Sequence, residues 1–207
     1  MKKSWIIIAI IVAIPLFGFM WANGVYNKML RYDETTSEAW GYVQSAYQRR
    51  ADLVPQLVAT VDMAAENEKE ILMGVTQARA GIVEYNNNLG ELKEGINNAK
   101  NPEQMNMYGK KINTAINLAF EAYPNIRSTD GFMKLQDELS GTENRIKIER
   151  DRYTSAVKEY NIYRKGIMRN MALSILGKAD EFEAKEGFKT LTEGADKAVD
   201  VREEFKK

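Results

Sequence analysis

The sequence predicts an all-α protein, in which an N-terminal transmembrane helix is followed by a long antiparallel four-helix bundle of coiled-coil type. Three observations predict this fold class. An apolar stretch near the amino terminus could cross a bilayer, two later stretches space apolar residues three and four apart over about five heptads, and the connections between helical stretches are short. We expect an anchor (residues 1–23), a helical bundle (24–178) and a charged C-terminal tail (179–207).

The N-terminal stretch has the length and composition of a membrane anchor. No charged residue occurs between Ser4 and Asn27, and the part from Trp5 to Ala22 is almost wholly apolar. This length suits a hydrocarbon core of about 30 Å, and Trp5 and Trp21 stand where interfacial aromatic residues are usual. A cleaved signal peptide is the alternative, but the run exceeds the usual ~7–15 residues and offers no small-x-small cleavage site. We therefore expect a retained anchor.

The flanking charges predict an orientation. Lys2, Lys3 and the α-amine precede the apolar stretch, whereas Lys28 and Arg31 follow it and are diluted by two acidic residues. Positive charge favours the cytoplasmic side, so we expect a cytoplasmic amino terminus and an outward-facing domain.

Four helical stretches are expected after the anchor, and the first two meet near Arg49–Leu53. Pro55 costs little in the first turn of a helix, and Asp52 is a suitable cap for that turn. The apolar seam of the first stretch is Tyr26, Met29, Asp33, Thr36, Trp40, Val43 and Tyr47. The seam of the second is Val54, Leu57, Val61, Ala64, Glu68, Ile71, Val75, Ala78, Ile82, Tyr85 and Leu89.

The third and fourth stretches have clear beginnings. Asn101 followed by Pro102, with Gln104 three residues after the asparagine, is a strong helix start. Asp130-Gly131 opens the fourth stretch. The third seam is Met105, Tyr108, Ile112, Ala115, Ala119 and Ala122, and the fourth is Leu135, Leu139, Thr142, Ile146, Glu149, Tyr153, Ala156, Tyr160, Tyr163 and Ile167.

If successive helices alternate in direction, the segment after the fourth helix returns to the bilayer. Residues 164–178, RKGIMRNMALSILGK, mix apolar and basic side chains. This composition fits an interfacial helix lying on the lipid headgroups, and equally a short helix that closes the apolar end of the bundle. The apolar residues of this candidate helix are Ile167, Met168, Met171, Leu173, Ile175 and Leu176.

Charged residues on or beside the seams predict a structural polar network. Buried carboxylates can hold a proton or a metal ion, but on a bundle seam they more commonly pair with an arginine of a facing helix and fix the register. We favour the register interpretation and expect no resident metal. The network residues are Arg50, Asp52, Glu68, Arg79, Glu143, Asn144, Arg145 and Glu149.

The composition excludes several classes of function. The 207-residue chain has neither cysteine nor histidine, which rules out thiol nucleophiles, Cys/His zinc sites and imidazole catalysis. Basic and acidic residues balance at 29 each, whereas nucleic-acid binding needs a basic excess on one face. No Ser/Lys dyad, phosphate-binding glycine loop or carboxylate pair stands out. We therefore expect no enzyme activity, no cofactor and no nucleic-acid partner.

Several phrases occur together in one order along the chain. They are Tyr26-Asn27, Ala39-Trp40, RRADLVP at residues 49–55, Leu57-Val58, VTQARA at 75–80, Leu135-Gln136, Glu138-Leu139, TENRI at 142–146, Arg152-Tyr153, Tyr160-Asn161 and Phe182-Glu183-Ala184. In these phrases the chain resembles the LemA family of bacterial membrane-anchored helical proteins. The resemblance implies an N-terminal anchor, a bundle of long helices and a location in the bacterial inner membrane. The association of one branch with magnetosome membranes implies membrane organisation rather than catalysis.

Together these observations predict a single-pass scaffold protein of the bacterial envelope, with its soluble domain on the periplasmic side. Its expected partners are the lipid bilayer and further copies of itself, since homo-oligomers are a common outcome for such shapes. An adaptor for a separate membrane protein, such as a protease, is the alternative, and a sensor that binds a ligand or metal through its seam carboxylates is another.

Overall fold

A computed structural model describes residues 2–65, 84–85, 87–122 and 130–189 of the chain. Within these residues all regular secondary structure is helical, which confirms the predicted fold class. The helices are α1 (Lys2–Ala65), α2 (Leu89–Asn98), α3 (Pro102–Ala122), α4 (Asp130–Arg164) and α5 (Ile167–Ile175).

The first helix runs without interruption from the apolar N-terminal stretch into the bundle. The predicted junction at Arg49–Leu53 is therefore wrong, because α1 continues through it to Ala65. Pro55 lacks an N–H group and leaves the carbonyl oxygen of Ala51 without its usual helical donor. The Tyr85 hydroxyl, 3.4 Å away, donates to that oxygen instead. A residue from another part of the bundle thus satisfies the acceptor that the proline leaves open.

The helices α2, α3 and α4 pack along α1 in alternating directions. Tyr85 lies beside Ala51 and the Trp40 indole donates to the Ala99 carbonyl, so the chain from 85 to 99 runs antiparallel to α1. The α3 helix runs parallel to α1, with Asn113 beside Arg50. The α4 helix runs back again, from a contact between Glu138 and Arg49 to one between Tyr163 and Val25. Residues 49–65, predicted to begin the return, therefore continue outward.

Where their side chains are described, the predicted seams form most of the core, but the prediction for Ile167, the last member of the fourth seam, is wrong. The α4 helix ends at Arg164, and Ile167 begins α5 and is 77% exposed. Met29, Thr36, Val43 and Tyr47 of α1 are buried, as are five seam residues of α4 between Leu135 and Tyr153. The seam members from Val61 to Ile82 lie outside the described side chains. In α3 the Asn101 side chain accepts from the Gln104 amide at 2.9 Å, as the predicted helix start requires.

A short helix, α2, lies between the end of the second predicted seam at Leu89 and the predicted helix start at Asn101. Leu92 and Ile96 bury one face of it against the core. Its last carbonyls need donors from outside the helix. Gln44 of α1 supplies them, donating to the carbonyls of Ile96 and Asn97 at 3.1 and 2.7 Å.

The chain after α5 stays on the bundle. The predicted boundary between bundle and tail lies at residue 178, whereas packing continues to Phe188, which is 8% exposed. We call residues 181–189 the extended segment, because this stretch has no regular helix or strand structure and lies along α4.

Candidate membrane-proximal site

The apolar part of α1 projects from the bundle as an exposed rod. Of the described helices, α1 alone contains a stretch long and apolar enough to cross a membrane, with a mean hydropathy of 2.0. Trp5 is 72% exposed and Trp21 is 37% exposed, while Ala22 is fully buried. Ala22 therefore marks the level on α1 where the bundle begins, next to the predicted boundary at residue 23.

A second, smaller apolar core lies just above that level. Met29 of α1, Tyr160 of α4, Leu173 of α5 and Phe182 of the extended segment form this membrane-proximal cluster. Leu173 is fully buried and Tyr160 is 1% exposed. The cluster is therefore a tightly packed joint between four parts of the chain, and it fixes the position of α5 relative to the apolar rod.

The α5 helix has two unlike faces. Ala172 and Leu173 are fully buried on the inner face. On the outer face Ile167, Met168, Met171 and Ile175 are 77, 63, 56 and 57% exposed. At 100° per residue these four positions fall within an arc of about 100°. The outer face is thus a continuous apolar stripe, and Leu176, half-buried, lies at its end.

A hydrogen-bonded group ties the end of α5 to α1. The Lys178 ammonium donates to the Tyr26 hydroxyl at 2.7 Å, and that hydroxyl donates to a Glu181 carboxylate oxygen at 2.8 Å. The hydrogen bond to Tyr26 raises the pKa of Lys178 above its ordinary value. Gly177, at φ 67°, makes the turn that brings Lys178 back toward α1.

Arg169 is a buried cation on the inner face of α5. It is 6% exposed, lies over the Phe182 ring at 5.7 Å and donates from Nη1 to Asn170 at 2.7 Å. Among the described residues, its Nε and Nη2 atoms have no hydrogen-bond partner. Burial lowers the pKa of Arg169, and the nearby Arg164 lowers it further.

The extended segment is held by side chains that bind its backbone. Arg164 and Tyr160 donate to the carbonyls of residues 182 and 183 at 2.9 and 2.7 Å. Asn161 both donates to the Lys185 carbonyl and accepts from its amide. At the far end, Phe188 lies 6.0 Å from the Trp40 ring and 5.8 Å from the Tyr153 ring. The extended segment therefore contacts both α4 and α1 and holds the two helices together.

Arg50 is the centre of the predicted polar network. Its Nε donates to Asn113 on α3 at 3.2 Å, and its Nη1 donates to the Leu139 carbonyl on α4 at 3.1 Å. The Glu143 carboxylate lies 3.6 Å from Nη2. Burial lowers the pKa of Arg50, and Glu143 acts in the opposite direction. One side chain of α1 thus connects three helices.

The other predicted network residues divide into three groups. Glu149 is 2% exposed, and its partners, Arg145 and Arg152, lie on its own helix rather than on a facing one, in contrast to the prediction. Asp52 pairs with Lys93 of α2 at 2.6 Å, whereas Asn144 is exposed. Glu68 and Arg79 lie outside the described residues.

Sequence analysis missed the buried Arg169 and the group formed by Tyr26, Lys178 and Glu181. Phe182 and Phe188 are apolar residues within the predicted charged tail, and no periodic pattern indicates what they contact. A signal was nevertheless present, since two phenylalanines that close together in a charged stretch are costly to leave in water.

Comparison with known proteins identifies the family. The LemA family model matches residues 39–202. The chain belongs to the LemA family. It is 22% identical over 160 residues to Protein LemA of Metamycoplasma hominis, covering 77% of this chain and 68% of that protein. The LemA match includes the extended segment and α5, while the apolar rod precedes it.

Proposed function

We propose that this LemA-family protein is a non-enzymatic, single-pass scaffold of the bacterial inner membrane, which holds a rigid helical bundle at a fixed distance from the bilayer. The observation that carries the proposal is the continuity of α1, in which the apolar rod and the spine of the bundle are one 64-residue helix. At 1.5 Å per residue, the part from Ala22 to Ala65 extends about 65 Å beyond the apolar stretch.

A scaffold role fits the way the polar side chains are used. Arg50 and Asp52 each pair with an oppositely charged residue of another helix, so their charges contribute to the register of the helices. Among the described residues there is no group of three or more carboxylates that could hold a metal ion. The pairs that Arg50 and Asp52 make between helices support a structural role.

The outer face of α4 supports self-association. Ile148 and Ile162, 58 and 64% exposed, lie two heptads apart with Ser155 midway between them. Positions seven residues apart share one face of a helix, which is the spacing of a coiled-coil contact. A second copy anchored in the same bilayer would present the same face at the same height, as a two-fold contact requires.

Disulfide crosslinking in intact membranes tests this function. The chain lacks cysteine, so Ile148→Cys and Ile162→Cys each introduce a single thiol. We expect oxidant-dependent dimers for both, and none for Met107→Cys, which places an exposed thiol on α3. Crosslinking of all three to the same extent, or of none, would contradict self-association through α4. A thiol crosslinked to a different membrane protein would instead support the adaptor alternative.

Sidedness has its own test in the same variants. In cells, a membrane-impermeant maleimide should label the Met107→Cys protein without lysis if the bundle is periplasmic. Labelling only after lysis would place the bundle in the cytoplasm.

A further inference from the structure

We infer that α5 is a lipid-binding helix, whose outer apolar face lies in the headgroup layer of an anionic bilayer, the same bilayer that α1 enters. The inference rests on the proposed membrane anchoring and adds a second site of contact with lipid. If α5 only closed the apolar end of the bundle, its inner face would be sufficient, because Ala172 and Leu173 on that face are already fully buried. That role leaves the four exposed apolar residues of the outer face unexplained.

Along α1, the α5 helix lies at the outer edge of the headgroup layer. Leu173 packs in the cluster that contains Met29, and Lys178 binds Tyr26. These two α1 residues lie five and eight positions past Trp21, which is about 8–12 Å along a helix. The headgroup region on each side of a bilayer is about 5–8 Å thick, and interfacial helices bury their apolar face about 5–10 Å into the boundary. Side chains of α5 that point toward the bilayer therefore reach that boundary.

A second exposed apolar surface lies on α1, a few residues before the level at which α5 packs. On α1, Phe17, Phe19 and Met20 are 78, 56 and 64% exposed. Between them and α5 lies only the short stretch where the bundle begins at Ala22. A single bilayer would cover both surfaces, so we assign the same bilayer to the apolar rod and to the outer face of α5.

The charge of this region indicates which class of lipid α5 binds. Residues 164–178 include four basic residues, Arg164, Lys165, Arg169 and Lys178, and no acidic residue. Arg164 makes a hydrogen bond within the protein, Arg169 is buried and Lys178 pairs with Glu181 at 3.3 Å. Lys165, exposed next to the start of α5, is therefore the basic residue of this stretch that can face lipid. A basic side chain close to an anionic leaflet is attracted to it, so the lipid class we assign is a bilayer containing acidic phospholipids.

The test uses the full-length chain with a single cysteine carrying an environment-sensitive fluorophore. Met171→Cys reports on α5, and Met133→Cys is the matched control, an exposed methionine beyond the level of Arg49 on the distal part of α4. Both proteins are reconstituted into vesicles of phosphatidylcholine alone or of an equal mixture with phosphatidylglycerol. Lipids brominated in the upper part of the acyl chain serve as the quencher.

We expect brominated lipid to quench the label at position 171 several-fold more than the label at 133, and more strongly with phosphatidylglycerol present. Lys165→Gln, added to the Met171→Cys protein, should shift the ratio of docked to undocked α5 by about fivefold in the mixed vesicles, the effect of one basic residue at an anionic surface. It should have little effect in phosphatidylcholine alone.

Two results would overturn the inference. Equal quenching of the labels at 171 and 133 would show that α5 only closes the bundle. If quenching at 171 changed neither with phosphatidylglycerol nor with Lys165→Gln, the assignment of an anionic lipid would be wrong. A carbonate wash separates these results from failure of the proposed anchor. Protein that leaves the vesicles on washing would contradict the anchored scaffold itself, whereas retained protein with an unquenched label at 171 contradicts only the α5 site.

Discussion

Arg50 offers the sharpest test of how the bundle is held together. The substitution Arg50→Met keeps most of the apolar stem and removes the guanidinium, so the bonds to Asn113 and Leu139 and the ion pair with Glu143 are lost. The adjacent Arg49 is a matched control. Its contact with Glu138 is 3.8 Å long, and its side chain is 62% exposed.

The structure sets the size of the effect. Hydrogen bonds from a charged donor contribute about 1.5–3 kcal/mol each. The lower end applies here, because the Leu139 carbonyl keeps a bond from Thr142 at 2.8 Å and the Glu143 side chain, 35% exposed, can be hydrated. Two such bonds give about 3 kcal/mol, of which about 1 kcal/mol is regained when a buried cation is replaced by an apolar side chain. The net expectation is about 2 kcal/mol, or roughly 4–8 °C in Tm.

Thermal and urea unfolding of the full-length chain in detergent, followed by far-ultraviolet circular dichroism, measures this difference. Arg49→Met should change the free energy of unfolding by less than about 0.5 kcal/mol, as is usual for an exposed ion pair. Equal free energies of unfolding for the Arg50→Met and Arg49→Met proteins would contradict the reasoning. A double-mutant cycle with Glu143→Gln should assign only about 0.5–1 kcal/mol to the ion pair, since Glu143 is partly hydrated.

Three further substitutions test other parts of the fold in the same unfolding assay. Phe188→Ala should destabilise the chain by about 3 kcal/mol, because it removes a buried ring from its contacts with Trp40 and leaves a cavity. Gly109→Ala should cost about 1–3 kcal/mol, because the new Cβ would lie 2.7 Å from Cε1 of the Tyr47 ring. Tyr153→Phe should reduce the loss of stability at alkaline pH. Burial raises the pKa of Tyr153, so above pH ~10 the unfolded chain releases a proton that the folded chain retains, and stability falls as the pH rises through that range.

Each of these substitutions has a defined contrary outcome. Lys189→Ala, at an exposed neighbour of Phe188, should be neutral, and equal effects at 188 and 189 would mean that the extended segment does not stabilise the bundle. Gly141→Ala meets no atom within 4 Å and should be neutral or stabilising by up to about 1 kcal/mol. If Gly141→Ala were as destabilising as Gly109→Ala, the effect at Gly109 would not come from close packing against the Tyr47 ring. Identical alkaline profiles for Tyr153→Phe and the wild-type chain would contradict the raised pKa.

The periodic features of the fold could be predicted from the sequence, because burial on a helix repeats every three to four residues. The α4 seam from Leu135 to Tyr160 and the start of α3 at Asn101 follow from spacing and capping chemistry alone. The break at Arg49–Leu53 was wrong for a physical reason. Pro55 removes one helical hydrogen bond, and Tyr85, about thirty residues later in the chain, donates to the carbonyl that is left open, so the helix continues.

The membrane-proximal site was less predictable, because its contacts join distant parts of the chain without a repeat. Tyr26 meets Lys178, and Lys185 meets Asp33, across separations that no local pattern encodes. The apolar character of α5 was visible in sequence, but its division into a buried and an exposed face depends on where α1 lies. Glu149 shows the same limit, since its seam position predicted a partner on a facing helix while two arginines on its own helix were within reach.

In the proposed anchored protein, the unbroken α1 helix makes the bundle a long arm that pivots in the bilayer. Transmembrane helices lean by about 20° on average, and they lean further when the hydrocarbon layer thins. Arg50 lies 28 residues beyond Ala22, an arm of about 42 Å, so a lean of that size carries the middle of the bundle sideways by about 14 Å. In the proposed anchored protein, a change in the tilt of α1 therefore moves the distal part of the bundle sideways over the membrane.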